Sequence, residues 1–501
     1  MQQILCPQCG APVKFQSAAS VMAVCGACRS TLLKDADAVR RIGTMSEVLE
    51  DYSPIQIGTT GRFEGKRFDV VGRLQLRYDD GFWNEWYLWF DDGQGGWLSD
   101  ASGQYAVTRA CDATKISSRL PTFGDIQPGQ TLSLRGRLFA AADVRTCRST
   151  GGQGELPFAV GEAGWEARVA DYRAADQFLT LDYSDGDTPA VYLGKAIGLD
   201  ALQRGSLRPA HLIEETAGVF QGRIQALDCP NCGAPISFAA ALATQVNCPS
   251  CQAVVDCSGD TAIVIAKQRK VAAFKTTLAL GEKAVIDGVA YTLIGLMRCT
   301  DSDPEKPYVW IEYLLHSPQA GFLWLVETDD GWSRARVCDR WPLLPKTGNT
   351  VLLNDRRYTR KEEYTSTVQV ALGAFNWRVR QGYTSRVTDY AAGNGKAPNM
   401  LTREQTDSEL GWSASDDIQP AQLAEWFKRP ELAKAGRKTR ATRVTSGNSN
   451  LTGPAWIASL ALLFMNSGNL FGSGFIRVLL GLFFIWMPLV ALRLLWKGSK
   501  P

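Results

Sequence analysis

Histidine is almost missing: the 501 residues hold two, His211 and His316. That removes most acid–base and metallohydrolase designs, which lean on imidazole. Also missing are a P-loop, a Gly-x-Gly-x-x-Gly fingerprint and a Gly-x-Ser-x-Gly elbow, so nucleotide and serine-hydrolase chemistry has no sequence support. Charge of one sign is lacking too. The chain carries 54 basic and 51 acidic residues, a net +3, which argues against a protein built mainly to neutralise nucleic-acid phosphates. No apolar h-region follows Met1, so no signal peptide is expected. No disulfide framework is visible either. Of 13 cysteines, eight form four C-x2-C pairs and Cys111, Cys147, Cys257, Cys299 and Cys338 lack pair spacing, a pattern that suits a reducing compartment.

What is present is a cysteine device used twice. Cys6 and Cys9 are followed after fifteen residues by Cys25 and Cys28; Cys229 and Cys232 are followed at the same interval by Cys248 and Cys251. Four thiolates on two facing knuckles satisfy tetrahedral zinc. Gly10 and Gly233 follow the second cysteine of each first knuckle, where a tight turn favours positive φ. Redox C-x-x-C chemistry is the alternative, but it uses one pair beside a βαβ pattern. Four cysteines fill the coordination sphere, so both zincs are expected to be structural. The second module has no basic residue between Cys229 and Asp260, which speaks against nucleic-acid contact there.

Behind each ribbon lies a longer repeat. Glu85 aligns with Glu312, Trp97 with Trp324, Asp100 with Glu327, Arg109 with Arg336 and Cys111 with Cys338, in one register without a gap. "VADYRA" at Val169 is echoed by "VTDYAA" at Val387. Short aromatic and β-branched runs bounded by Asp-Asp-Gly turns at 79, 91 and 329 predict antiparallel hairpins. Helical signal is sparse, and short helices are expected near 46–52, 193–204 and 419–427. The fold class is therefore mainly β, with two zinc ribbons each followed by an antiparallel sandwich or barrel-like domain.

The run Trp310-x-Glu312-Tyr313-Leu314-Leu315, then Gly321, Trp324 and Leu325, the strand Gly373-x-Phe375-x-Trp377-x-Val379, and Asp389 with Tyr390 resemble bacterial domain-of-unknown-function family 4178. The resemblance covers roughly 55–205 and 275–425, and the second copy is the closer match. The family brings no established activity. The resemblance implies a bacterial, membrane-linked accessory protein serving envelope-stress or polyamine-related gene clusters.

From Pro454 the composition turns apolar. The stretch 475–496 has the length of a bilayer span, with Arg477 and Arg493 near its ends and Pro488 tolerated inside it. With the preceding apolar run it is read as a transmembrane hairpin over 454–496 with an outer loop at 466–474. The alternative is a single tail anchor from Phe475, with 456–464 lying in the interface. Lys434, Arg437, Lys438, Arg440 and Arg443 precede the hairpin and Lys497 and Lys500 follow it, which places both flanks in the cytoplasm. The first five could touch anionic lipid.

The expected organisation is zinc ribbon 1 over 1–34, β-domain repeat 1 over 55–205, zinc ribbon 2 over 225–257, β-domain repeat 2 over 275–428, a basic flexible linker over 429–453 and the hairpin over 454–496. Glu85 and Glu312 are either site carboxylates with raised pKa or solvent-facing strand residues. Arg109 and Arg336 are candidate exposed partners of Asp100 and Glu327. Asp171 with Tyr172 and Asp389 with Tyr390 are either ligand contacts or, the better fit, structural corners in which the tyrosine hydroxyl satisfies backbone. Trp83, Trp86, Trp89 and Trp97 could stack bases, but Asp79, Asp80, Glu85, Asp91 and Asp92 would repel phosphate, so core packing or a protein-binding face fits better. Cys111 and Cys338 share register and are either reactive thiols or, more commonly for such cysteines, buried small residues.

No catalytic residue stands out. The metal ligands are Cys6, Cys9, Cys25, Cys28, Cys229, Cys232, Cys248 and Cys251. The function expected is a non-enzymatic scaffold on the cytoplasmic face of the bacterial inner membrane that recruits protein partners, since tethered paired modules gain effective concentration. The alternative is a ligand sensor or enzyme with a pocket in the β-domains.

Overall fold

The computed structural model describes residues 2–434 except 18, 35–38, 45–47, 49–50, 52, 80, 102, 113–119, 161–163, 217–226, 237–244, 248–252, 257–262, 268–275, 302–306, 319, 344–347, 374, 376, 378, 380 and 393–397. The expected hairpin over 454–496 and the basic residues from Arg437 onward lie outside the described residues. Among those described, no helix is long and apolar enough to cross a membrane.

One hairpin recurs four times. Its sequences are Phe63-Glu-Gly-Lys-Arg-Phe68, Leu134-Arg-Gly-Arg-Leu-Phe139, Ile286-Asp-Gly-Val-Ala-Tyr291 and Leu353-Asn-Asp-Arg-Arg-Tyr358. Each turn puts two successive residues at positive φ: Glu64 and Gly65, Arg135 and Gly136, Asp287 and Gly288, Asn354 and Asp355. That is the type I′ geometry whose twist matches the strands it joins. Each second strand then carries a bulge at one place, between Val70 and Gly72, Ala141 and Asp143, Leu293 and Gly295, and Arg360 and Glu362. The bulge bends a long strand so that the sheet can curl.

Curling leads to closure. In the first repeat the strands are β1 (Lys66–Tyr78), β2 (Gly81–Phe90), β3 (Gly95–Ala101), β4 (Gln104–Cys111), β5 (Arg137–Leu156), β6 (Trp165–Ala174), β7 (Gln177–Asp182) and β8 (Ala190–Ala196). Two antiparallel meanders, β1 to β4 and β5 to β8, join through β4 with β8 and through β1 with β5. The result is a closed eight-stranded antiparallel barrel, the barrel-like option rather than the sandwich. Gly194 is needed at the first junction, because a Cβ there would lie 1.8 Å from the Val107 carbonyl oxygen. The second repeat closes the same way with β9 (Val289–Thr300), β10 (Val309–Ser317), β11 (Gly321–Thr328), β12 (Gly331–Val337), β13 (Arg356–Gly373), β14 (Thr384–Ala392), β15 (Met400–Gln405) and β16 (Leu410–Ile418). The three Asp-Asp-Gly signals stand at hairpin turns, as expected.

Both faces of each wall are covered. Outside the first barrel, Phe68, Val70, Trp86, Leu88, Leu98 and Val107 pack beneath Ile55, Phe63 and Leu202. There the buried Arg73 guanidinium meets Asp51 at 3.1 Å and lies 4.9 Å from the Trp86 ring. Outside the second, Tyr313, Leu315 and Leu325 pack against Leu423 and Phe427 of helix α1 (Pro420–Phe427). This helix stands where one was expected. The helix expected over 193–204 does not form: Leu193 pairs with Leu179 and Arg109 in β8, and only Leu199–Leu202 makes a 3-10 turn. Barrel closure claims those residues against their local propensity. The helix expected near 46–52 lies mostly outside the described residues; Val48 and Asp51 are described and are not helical.

The barrels also touch one another. The turn after β15 reaches the β5 bulge, with Val144 N–H donating to Ser408 O at 3.0 Å and Arg145 meeting Glu409 at 2.7 Å. Ala140 and Ala142 of the first barrel join Trp341, Tyr390 and Trp412 of the second in one core cluster.

Candidate functional site

Strand alternation sends every second side chain of β2 inward: Trp83, Glu85 and Tyr87. Trp83 lies with Leu74, Leu76, Cys147, Ala167, Trp97, Phe158 and Trp165 in the cluster that fills the barrel. Glu85 sits opposite Leu74 in β1 and Ser99 in β3. It accepts the Trp83 indole N–H at 2.8 Å and the Ser99 hydroxyl at 2.8 Å. Across the barrel, Asp171 of β6 accepts the Thr180 hydroxyl at 2.6 Å and senses the charge of Glu85. Burial pushes Glu85 and Asp171 up to about 7, against the pull of these hydrogen bonds.

The second barrel repeats the arrangement. Trp310, Glu312 and Leu314 point inward from β10, and the Trp310 indole N–H donates to Glu312 at 2.6 Å. Asp389 of β14 accepts the Thr402 hydroxyl at 2.6 Å. Burial pushes Glu312 to about 7 and Asp389 to about 6. Burial also raises Glu404 on β15, whose place in the first barrel is taken by Asp182 of β7. Water nevertheless reaches Glu85, Glu312 and Asp171, which are half-buried, and Glu404, which is exposed. Each of these acids sits beside packed side chains and keeps part of its surface open to solvent.

Aromatic rings line both interiors. Tyr87 and Trp97 have centroids 5.1 Å apart, Trp97 and Phe158 6.1 Å, and Phe158 and Trp165 5.2 Å. In the second barrel Trp324 and Trp377 stand 5.7 Å apart, and Trp310 meets Tyr364 edge-on at 5.8 Å. The barrels differ at several interior positions, among them Ser99 against Val326 beside the glutamates. Arg145 of β5 points inward, 2.6 Å from Asp143 and over the Tyr78 ring at 3.9 Å, and the corresponding residue of the second barrel is Tyr364. Closed eight-stranded barrels have room for side chains or for one small ligand. Carboxyls poised near neutrality among aromatic faces suit the second use. A separate open groove of about 310 Å³ by Leu120, Asp125, Thr131 and Tyr172 lies outside the barrel and holds none of these acids.

Several expectations are revised. Glu85 and Glu312 do not face bulk solvent; the barrel takes them inside. Arg109 pairs with Asp92 at 2.8 Å instead of Asp100, which is buried and accepts the Ser53 hydroxyl. Glu327 accepts from Thr277 and Tyr313. Trp83 and Trp97 line the interior and Trp86 packs outside the wall, so none of the three forms an exposed stacking platform. The Tyr390 hydroxyl donates to the Gly348 carbonyl at 3.4 Å, the corner expected of it, and Tyr172 is buried in the outer core. Cys338 is buried as expected, whereas Cys111 is partly exposed, 3.0 Å from Arg135 Nη2. Asp143, Arg145, Ser99, Thr180 and Thr402 escaped the sequence reading, because only closure brings them beside the acids.

The first ribbon gathers Cys6, Cys9, Cys25 and Cys28 so that all four sulfurs lie within 4.8 Å of one another. Cys6 and Cys28 stand 3.6 Å apart, and Cys9 and Cys25 3.7 Å. Zinc–sulfur bonds of about 2.3 Å in a tetrahedron require sulfur separations of roughly 3.8 Å, so the donor set fits a tetrahedral thiolate metal. Gly10 N–H returns to Cys6 O and Arg29 N–H to Cys25 O, both at 2.8 Å, with Gly10 at φ +75°. The Ser30 hydroxyl, 3.2 Å from Cys28, and the Ser30 N–H hold the Cys28 thiol down to about 6, toward the thiolate a metal needs. In the second ribbon Cys229 and Cys232 form the same knuckle, with Gly233 N–H on Cys229 O at 2.7 Å. Cys248 and Cys251 lie outside the described residues.

The family described as domain of unknown function (DUF4178) matches residues 56–198 and 279–420, one match for each barrel. No curated protein and no solved structure matches the chain. The two matches span more than half of the sequence, so the chain belongs to this family and carries it in tandem.

Proposed function

We propose that this tandem DUF4178 chain is a binding protein that takes small molecules into its barrels. The observation carrying this reading is an interior motif that recurs at matching positions: Trp83 and Glu85 with Asp171 and Thr180, and Trp310 and Glu312 with Asp389 and Thr402. A wall of this kind suits a ligand with an apolar or aromatic body and a polar head. No nucleophile held by a base accompanies the acids among the described residues, so binding is favoured over catalysis.

Two structural zinc ions staple the ribbons in this reading. The apolar hairpin over 454–496 holds the chain in the bacterial inner membrane, with the barrels in the cytoplasm and the basic residues from Lys434 to Arg443 near anionic lipid. A protein-recruiting scaffold is the second reading. It is favoured by the exposed knuckle tips at 7–10 and 230–233. The test is a small-molecule screen on the full chain in mild detergent, read by tryptophan fluorescence. Compounds that quench the wild type and not Glu85→Leu/Glu312→Leu support the binding reading. A screen with no such compound, beside a protein partner lost in Cys9→Ser, would replace it with the scaffold.

A further inference from the structure

We infer that metal in the first ribbon latches shut the closing seam of the first barrel. The seam is short. Strands β1 and β5 pair only where residues 72–75 meet 151–154, whereas β9 and β13 pair from 295–300 to 367–373. At Gly154 the strand β5 changes partner: Gly154, Glu155 and Leu156 pair with Val24, Ala23 and Met22 of the ribbon strand Met22–Val24. The ribbon thus continues the ladder that the seam begins.

Side chains fasten this joint. Glu155 is 3% exposed and accepts Gln16 N–H at 2.5 Å, Ser17 N–H at 2.9 Å and the Ser20 hydroxyl at 2.7 Å. Ser17 also hydrogen-bonds Tyr87, one of the rings inside the barrel. Met22 is wholly buried among Leu74, Leu76, Cys147 and Ala167, where Val160 N–H points at its sulfur at 3.4 Å. All these ribbon residues lie between Cys9 and Cys25, in the loop the metal would close. Without the metal, that loop regains the conformational freedom the cluster removes, and binding energy at the cysteines is folding energy for the loop.

The second barrel supplies an internal control. Gly373 stands where Gly154 stands, each with its would-be Cβ 3.1–3.2 Å from the Cα of its seam partner, Gly295 or Gly72. The sequence puts Ala374 where the first barrel has Glu155, so the carboxylate clasp is specific to the first ribbon, although the second ribbon's strand Gln245–Asn247 also lies beside β13. The latch stands whatever the barrels bind.

The test is hydrogen exchange on the full chain with and without a zinc chelator, with metal content measured alongside. Metal removal should speed exchange at 70–76 and 147–156 at least tenfold, with a clearly smaller effect at the longer seam of 295–300 and 367–373. Glu155→Gln should keep its metal and show a smaller acceleration at the same two segments. Loss of metal with unchanged exchange at 147–156 would overturn the latch. So would equal acceleration at both seams, or a Glu155→Gln chain that exchanges like the wild type.

Discussion

Replacing Glu312 by Gln removes one charge from the second barrel and keeps an acceptor for the Trp310 indole, so it isolates the cost of holding a carboxylate inside. The group titrates near 4.5 in the unfolded chain and at about 7 in the barrel, raised by burial and then by the Glu404 charge. Below 4.5 both states are protonated and the substitution is neutral. Between 4.5 and 7 the unfolded chain releases its proton first, so wild-type stability falls as pH rises, and above 7 the loss is complete. Each tenfold change in acidity is worth about 1.4 kcal/mol, which puts the full loss at about 3 kcal/mol. Glu312 is half-buried, so solvent screens part of this loss, and at pH 8 the Gln chain should be more stable by about 1–3 kcal/mol. Urea denaturation of both chains at pH 4.5 and pH 8, followed by tryptophan fluorescence, reads the difference. A gain of the same size at both pH values, or a Gln chain less stable at pH 8, would refute the interior placement of Glu312.

Other consequences follow from the same geometry. Gly194→Ala drives a methyl into the Val107 carbonyl and should cost about 3 kcal/mol or more, seen as loss of soluble folded protein or a lowered urea midpoint. Arg73→Ala strands the buried Asp51 carboxylate and should cost about 3–5 kcal/mol in the same assay. Metal analysis should find two zinc ions per wild-type chain and one in either Cys9→Ser or Cys232→Ser, with membrane attachment kept in both. A stop codon after residue 453 should move the protein from the membrane fraction to the soluble one, and a truncated chain that still pellets with membranes would remove the anchor from the 454–496 segment.

The tandem was legible because a duplicated strand plan leaves one register, from Glu85 and Glu312 to Cys111 and Cys338. Hairpin turns were legible because Asp-Asp-Gly and Gly-rich pairs dictate local backbone. The inside of the barrel was not. Strand β2 alternates Phe82, Asn84, Trp86, Leu88 and Phe90 with Trp83, Glu85, Tyr87 and Trp89, and both sets are rich in aromatics. Alternation says that the two sets face opposite ways and not which way is in. That choice is made by pairings such as β1 with β5 and β4 with β8, whose partners lie some eighty residues apart. The fourfold hairpin did have a signal, an apolar residue, a turn pair ending in Gly or Asp, two residues and then Phe or Tyr.

The central claim is that the barrel interiors hold small molecules. Native mass spectrometry of the full chain, extracted from its own membranes in mild detergent, tests it most directly against Glu85→Leu/Glu312→Leu. The wild type should carry a small-molecule mass that is lost or reduced in the double variant while zinc content is unchanged. A wild type carrying no more mass than the variant, with one protein partner retained equally by both, would contradict it.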